Sequence, residues 1–284
     1  MKVLGVDPAL EIAKRATASG IPTLPRFFTR DLATEIRDEH GPARIVVANN
    51  VFAHADDLAG IVDGIVKLLH PADGLFVFEV QYLTAMMEHN YFDMIYHEHL
   101  SYHALAPLVP FLAAKGLNIL DCQEIPTHGG SIRVTAGFRK PTPSEQSNLD
   151  IKVELEESKL KQNNFAKMQS NIALASQDLQ TLLGNTRKKI WGFGAPAKLT
   201  TLFYGLNLDQ KYFSSIIDDN PLKQGLHTPG EHLKVLGIED FEHQSVGQEL
   251  IIVFAWNFAS QIRQRFKDTP HLLYTPLPRL QRLA

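Results

Sequence analysis

The chain is poor in several things that would each settle a class. It has one cysteine, Cys122, so an intramolecular disulfide and a Cys-rich zinc site are both excluded within it. No apolar run approaches the 18 residues of a membrane span, and no charged-then-apolar leader opens the sequence. There is no basic excess: the formal net charge is −3, against the basic patch expected of a nucleic-acid binder. What is present is 44% apolar and 21% charged residues over 284 positions, the make-up of a globular protein with room for two domains. These features predict a cytoplasmic protein with no membrane and no nucleic acid among its partners.

Strand-like and helix-like stretches alternate. Val3–Val6, Arg44–Ala48 and Gly74–Val80 read as strands, and Ala9–Ser19, Thr29–His40 and Asp56–Leu69 as helices, with Thr29 or Asp31 as a cap. Leu105–Lys115 reads as a helix, then Leu117–Asp121 and Ser131–Ala136 as strands around a turn at Thr127–Gly130. The Pro- and Ser-rich Lys140–Ser147 reads as a linker, and Leu149–Leu183 as unbroken helix. The rhythm resumes with a strand to Gly192, a glycine turn, a helix to Tyr204, the strands Phe213–Ile217 and Leu250–Ala255, the helix Phe258–Phe266 and the strand His271–Thr275. Alternation of this kind predicts an α/β fold with parallel sheets.

The densest chemistry lies in Tyr91–His103. Tyr96, His97, Glu98 and His99 are four consecutive groups able to move protons, and histidine titrates near neutrality. A solvated polar turn would look the same. On a strand, His97 and His99 would share a face. A metal there would need further ligands, and the sequence holds no second cluster of the right type, so no metal is expected.

Asp7, in Gly5-Val-Asp7, stands where a strand meets a loop, fit either to take two ribose hydroxyls or to cap the next helix. Asn49 and Asn50 follow a strand directly, where they could hold a polar ligand or cap a turn, and His54 lies four residues on. Gly192-Phe-Gly194-Ala-Pro-Ala197, with Lys198 beside it, is a strand-to-helix turn suited to a phosphate. Asp218 falls where a dinucleotide fold keeps a ribose-binding acid, which raises an NAD-dependent oxidoreductase as the rival reading.

Together the motifs VLGVDPA, ANNVFAHADDL, FDMIYHEHLSYHAL, PTHGGSIRV, GFGAPAK and DDNPLKQGLHTPG resemble one family: the S-adenosylmethionine-dependent C-methyltransferases of nucleotide-linked keto-deoxysugars. The resemblance implies a class I methyltransferase (Rossmann-like) lobe over 1–140, a connecting segment over 141–185 and a second Rossmann-like lobe over 186–284 that helps hold the sugar nucleotide. It implies S-adenosylmethionine as cofactor, bound by Gly5, Asp7, Asn49 and Asn50. It makes His99 the general base with Tyr96, Glu98 and His54 beside it, and places His128, Gly129, Ser131, Gly192, Gly194 and Lys198 along a nucleotide-diphosphate-sugar cleft. Family members begin with a paired-cysteine zinc domain and a first strand with a glycine-rich loop, which this sequence does not show. The expectation is therefore an N-terminally truncated or split member, with Met1 an internal methionine and the cofactor lobe incomplete. Its activity alone would be weak or absent, with a separate polypeptide as one source of the missing part. A non-catalytic sugar-nucleotide-binding remnant is the remaining alternative.

Overall fold

The computed structural model describes residues 2–283; Met1, read above as internal to a longer protein, lies outside them. The chain forms two compact units that are not consecutive in sequence. The first holds the residues up to Gln81, with 100–125 and 131–156; the second holds 82–99, 126–130 and everything from 157 onward. The Tyr96–His99 segment thus packs with the second unit.

In the first unit a four-stranded sheet runs in the order Ile45–Asn49, Leu75–Gln81, Ser131–Gly137, Asn118–Ile125. The first pair is parallel and the others antiparallel. Phe76, Phe78 and Val80 are fully buried, which is why Leu75–Gln81 reads as an apolar run. Gly5–Val6 pairs in parallel with Thr23–Leu24 in a separate small sheet, shorter than the strand expected from Val3. Arg30–His40 starts where the Thr29 hydroxyl accepts the Leu32 N–H at 3.2 Å, so Thr29 is the cap and Asp31 sits in the first turn. Leu58–Leu68 starts on Asp57, whose carboxylate accepts the Gly60 N–H at 2.8 Å. These two helices bury Leu32, Ala33, Ile36 and Leu68 against Val6, Leu24 and Val46, so one helical layer covers both sheets. Ile45–Asn49 is an edge strand, with Ile45 and Val47 54% and 59% exposed on its other face.

The second unit is a six-stranded sheet ordered Val235–Leu236, Phe213–Ile217, Ile190–Phe193, Leu250–Val253, Leu272–Thr275, Gln281–Arg282. All neighbours are parallel except the last pair. Numbered along the chain, the five parallel strands lie 3-2-1-4-5. This doubly wound order reverses between Ile190–Phe193 and Leu250–Val253, and ligands of such sheets bind outside the carboxyl ends of the strands at that reversal.

The expected linker is corrected. Pro143–Gln162 is a helix. Thr142 and Glu145 form a reciprocal cap, the Glu145 carboxylate accepting the Thr142 N–H at 2.7 Å and the Thr142 hydroxyl accepting the Glu145 N–H at 3.3 Å. Pro143 then occupies the first helical position, where its missing N–H costs nothing. Nor is 149–183 one helix: the Asn164 side chain accepts the Lys167 N–H and opens a new helix over Phe165–Asn185.

His103 is buried and stacks on Phe52 at 5.5 Å. Burial lowers its pKa from 6.5 to about 4, against a hydrogen bond to the Phe52 backbone that favours the charged ring. Between those values the unfolded chain takes up a proton that the folded chain refuses. Stability is therefore full above 6.5 and falls as the pH drops towards 4. Thermal melts at pH 7.5 and 5 are expected to show a lower Tm at pH 5, and His103→Gln is expected to flatten that difference.

Candidate functional site

The first unit carries the expected cofactor residues at the carboxyl ends of parallel strands. Asp7 follows Gly5–Val6, and its Oδ1 accepts the Ala9 N–H at 2.8 Å, shaping the turn into Leu10–Ala18, a helix capped by Ala9 rather than by Asp7. A Cβ on Gly5 would lie 2.5 Å from Thr23 Oγ1, so the two short strands approach too closely for a side chain. Asn49 ends its strand and is exposed; Asn50 takes a left-handed φ of 53° while its N–H donates to Glu79 O at 2.7 Å. A carboxylate and two side-chain amides at strand ends offer acceptors and donors that fit the hydroxyls and amino group of a nucleoside. His54 is exposed in the turn Phe52–His54, which is tied by Ala53 O to the N–H groups of Leu100 and Ser101. Ser131 is buried at the start of its strand.

The proton-transfer residues belong to the second unit. Tyr96–His99 is a turn, not a strand, closed by the His99 N–H on Tyr96 O at 3.0 Å. His97 and Glu98 are exposed and 4.0 Å apart, whereas Tyr96 and His99 are half-buried with ring centroids 4.5 Å apart. His99 Nδ1 lies 2.9 Å from Met94 O. A carbonyl can only accept, so Nδ1 carries the hydrogen and Nε2 the lone pair. Among the described residues no three His, Cys, Asp or Glu side chains gather as a metal set.

Just before this turn lies a buried centre that sequence reasoning missed. Asp93 is fully buried within the short helix Phe92–Met94. Its Oδ2 accepts the Trp256 indole N–H at 2.6 Å and lies 2.9 Å from Lys198 Nζ. The Lys198 ammonium also sits 3.8 Å from the centre of the Trp256 ring, whose other neighbour is Tyr91, stacked at 3.9 Å. Burial pushes the Asp93 carboxyl up and the Lys198 ammonium down, and the opposite charge works against both shifts. A Cβ on Gly129 would fall 2.6 Å from Trp256 and 2.8 Å from Tyr91, so the His128–Gly130 turn rests on the same stack. The structure thus brings Lys198, Gly129 and the segment leading to His99 together around Trp256. The available signal was an acid isolated in the apolar run Phe-Asp93-Met-Ile; nothing in the sequence marked Trp256.

The glycine turn is held from within. Gly194 N–H donates to Ile217 O at 2.7 Å, Ala195 N–H to Asp218 Oδ2 at 2.7 Å, and Pro196 has no N–H. Asp218 Oδ1 accepts the Asn220 N–H at 2.8 Å. Gly192 is a packing glycine, where a Cβ would lie 2.3 Å from Ile216. The oxidoreductase alternative is corrected here: both carboxylate oxygens of Asp218 serve backbone N–H groups, and the protein's own Tyr91–Met94 segment is seated where the sheet order reverses.

A family model described as the C-methyltransferase C-terminal domain matches residues 126–272. C-methyltransferase NovU of Streptomyces niveus is 31% identical over 290 residues, which span 98% of this chain and 67% of that protein. Among solved structures, a 1,6-didemethyltoxoflavin-N1-methyltransferase of Burkholderia thailandensis, bound to S-adenosylhomocysteine, is 21% identical over 50% of this chain and 62% of its own, with a TM-score of 0.34. A putative methyltransferase in complex with the Trm112 activator of Haloferax volcanii is 15% identical over 48% and 72%, with a TM-score of 0.37.

Gly129 has a φ of +85°, so Gly129→Ala meets both backbone strain and the Trp256–Tyr91 stack. A loss of about 1–3 kcal/mol is expected in denaturant unfolding followed by tryptophan fluorescence.

Proposed function

The chain belongs to the C-methyltransferase family, whose enzymes depend on S-adenosylmethionine, and from that premise we propose that it methylates a carbon next to the ketone of a nucleotide-activated keto-deoxysugar. The observation that carries this reading is the His99 imidazole, held through Nδ1 by the Met94 carbonyl so that Nε2 is the basic nitrogen.

His99 Nε2 takes the proton from the sugar carbon α to the ketone, and the C–H electron pair moves into an enolate. Tyr96, its ring beside His99, donates its hydroxyl hydrogen bond to the enolate oxygen. Glu98, next to His99 in the chain, favours the charged imidazole that results, and His54 is a second proton-active histidine in the first unit. When bound, S-adenosylmethionine would supply an electrophilic methyl group, carried on a positively charged sulfur, to the enolate carbon. Gly5, Asp7, Asn49 and Asn50 would hold that cofactor, with the carboxylate suited to accept from the ribose hydroxyls. His128 and Gly129, in the turn beside Trp256, shape the place of the sugar nucleotide. Holding the two reactants together supplies much of the acceleration.

The base assignment is tested in D2O, without cofactor, by following exchange of the α-hydrogen of a nucleotide-diphosphate keto-deoxysugar by mass. Exchange is expected with the native chain and is expected to fall about 10²–10⁴-fold in His99→Asn. Undiminished exchange in a folded His99→Asn protein would assign the proton to another group.

A further inference from the structure

We infer that the buried Asp93–Lys198 ion pair, closed by Trp256, is a positioning device that sets the orientation and tautomer of His99. Lys198 then acts through Asp93 and not as a clamp on substrate phosphate. The inference deepens the proposed function, since it rests on His99 as the base.

Each link from Lys198 to His99 is a bond or a contact within the second unit. Asp93 Oδ2 is held at 2.6 Å by the Trp256 N–H and at 2.9 Å by the Lys198 ammonium. Asp93 and Met94 are adjacent in the same helical turn, which closes on the Tyr91 and Phe92 carbonyls through the N–H groups of Met94 and Ile95. Lys198 Nζ also lies 3.4 Å from Met94 Sδ, and the Thr201 hydroxyl donates to Ile95 O at 3.3 Å. Phe92, on the other side, is packed so closely against Gly205 that a Cβ there would lie 2.2 Å from its ring. The Met94 carbonyl is therefore fixed by its neighbours on both sides. That carbonyl is the partner of His99 Nδ1 at 2.9 Å. A hydrogen bond to one ring nitrogen decides which nitrogen is basic.

Burial supports this role. Lys198 is 8% exposed and Asp93 0%, and the ammonium is flanked by a carboxylate, an indole face and a thioether. A phosphate-binding lysine must offer its charge to a ligand; this one spends it on Asp93. Among the described residues Asp93 Oδ1 meets no hydrogen-bond partner, so the carboxylate's hold on the segment runs through Oδ2, and losing Lys198 or Trp256 weakens it directly.

The test reads His99 itself and needs no substrate. Ring-nitrogen NMR of histidine-labelled protein, with His99→Gln to assign the signal, is expected to show the Nδ1–H tautomer in the native chain. Asp93→Asn and the charge-free double variant Asp93→Asn/Lys198→Met are expected to shift it towards Nε2–H. Trp256→Phe, which keeps the ring and removes only the N–H, is expected to shift it part of the way. With a nucleotide-diphosphate keto-deoxysugar as probe, Lys198→Met is expected to lower kcat at least 10-fold with KM within about threefold. An unchanged His99 tautomer in every variant that retains its native thermal transition would overturn the inference. So would a KM rise at constant kcat for Lys198→Met, which is the signature of a phosphate clamp. Should the sugar reading fail, the tautomer result still decides the positioning role.

Discussion

A carboxylate with no access to water must be answered by its neighbours, and Asp93 is answered by an indole N–H and an ammonium on Oδ2. Breaking such a pair from one side costs about 3–5 kcal/mol, because the remaining charge is left buried without a counter-charge. That penalty makes the arrangement all-or-none. Tyr91–Met94 either sits on the carboxyl ends of the second unit's strands with Asp93 in place, or the ammonium of Lys198 is stranded beneath it. The turn that bears Tyr96 and His99 leaves from this anchor, so its starting point is fixed by electrostatics and ring packing more than by its own polar residues.

The two units use the same strand-end geometry in opposite ways. In the first, Asp7, Asn49 and Asn50 stand at the carboxyl ends of parallel strands, Asn49 and Asn50 exposed and Asp7 partly so. In the second, the carboxyl ends are closed by the protein itself: Asp218 is spent on the N–H groups of Ala195 and Asn220, and the reversal point of the sheet receives Tyr91 and Asp93. A doubly wound sheet is therefore no evidence of a dinucleotide site when its own chain supplies the occupant.

Much of this was legible in the sequence. Leu250–Val253 shows as an apolar run because it is buried on both faces, Leu75–Gln81 because Phe76, Phe78 and Val80 are buried on one, and Thr29 shows as a cap because its hydroxyl is where a helix begins. Tyr96, Glu98 and His99 stand out in the sequence as a run of proton-active side chains, and the structure sets them in one turn. The failures have physical causes. Proline and serine at Pro143–Ser144 suggested a linker, yet proline is at home in a first helical turn, and the Thr142–Glu145 cap was there to be read. Lys198 looked like a phosphate ligand because its neighbours are glycines; its partner, Asp93, lies more than a hundred residues away, and pairing across that distance leaves no local mark. The Met94 carbonyl could not be found at all, since a backbone acceptor carries no residue signature.

The family's C-terminal domain, as a stretch of sequence, runs over 126–272, whereas the compact unit that holds most of it leaves out 131–156 and takes in 82–99. A fragment cut to the sequence boundary would keep Lys198 and Trp256 and lose the acid they were folded around. The matched stretch of sequence and the compact unit are thus different objects in this protein, and the short helical turn that bears Asp93 belongs to the second and not to the first.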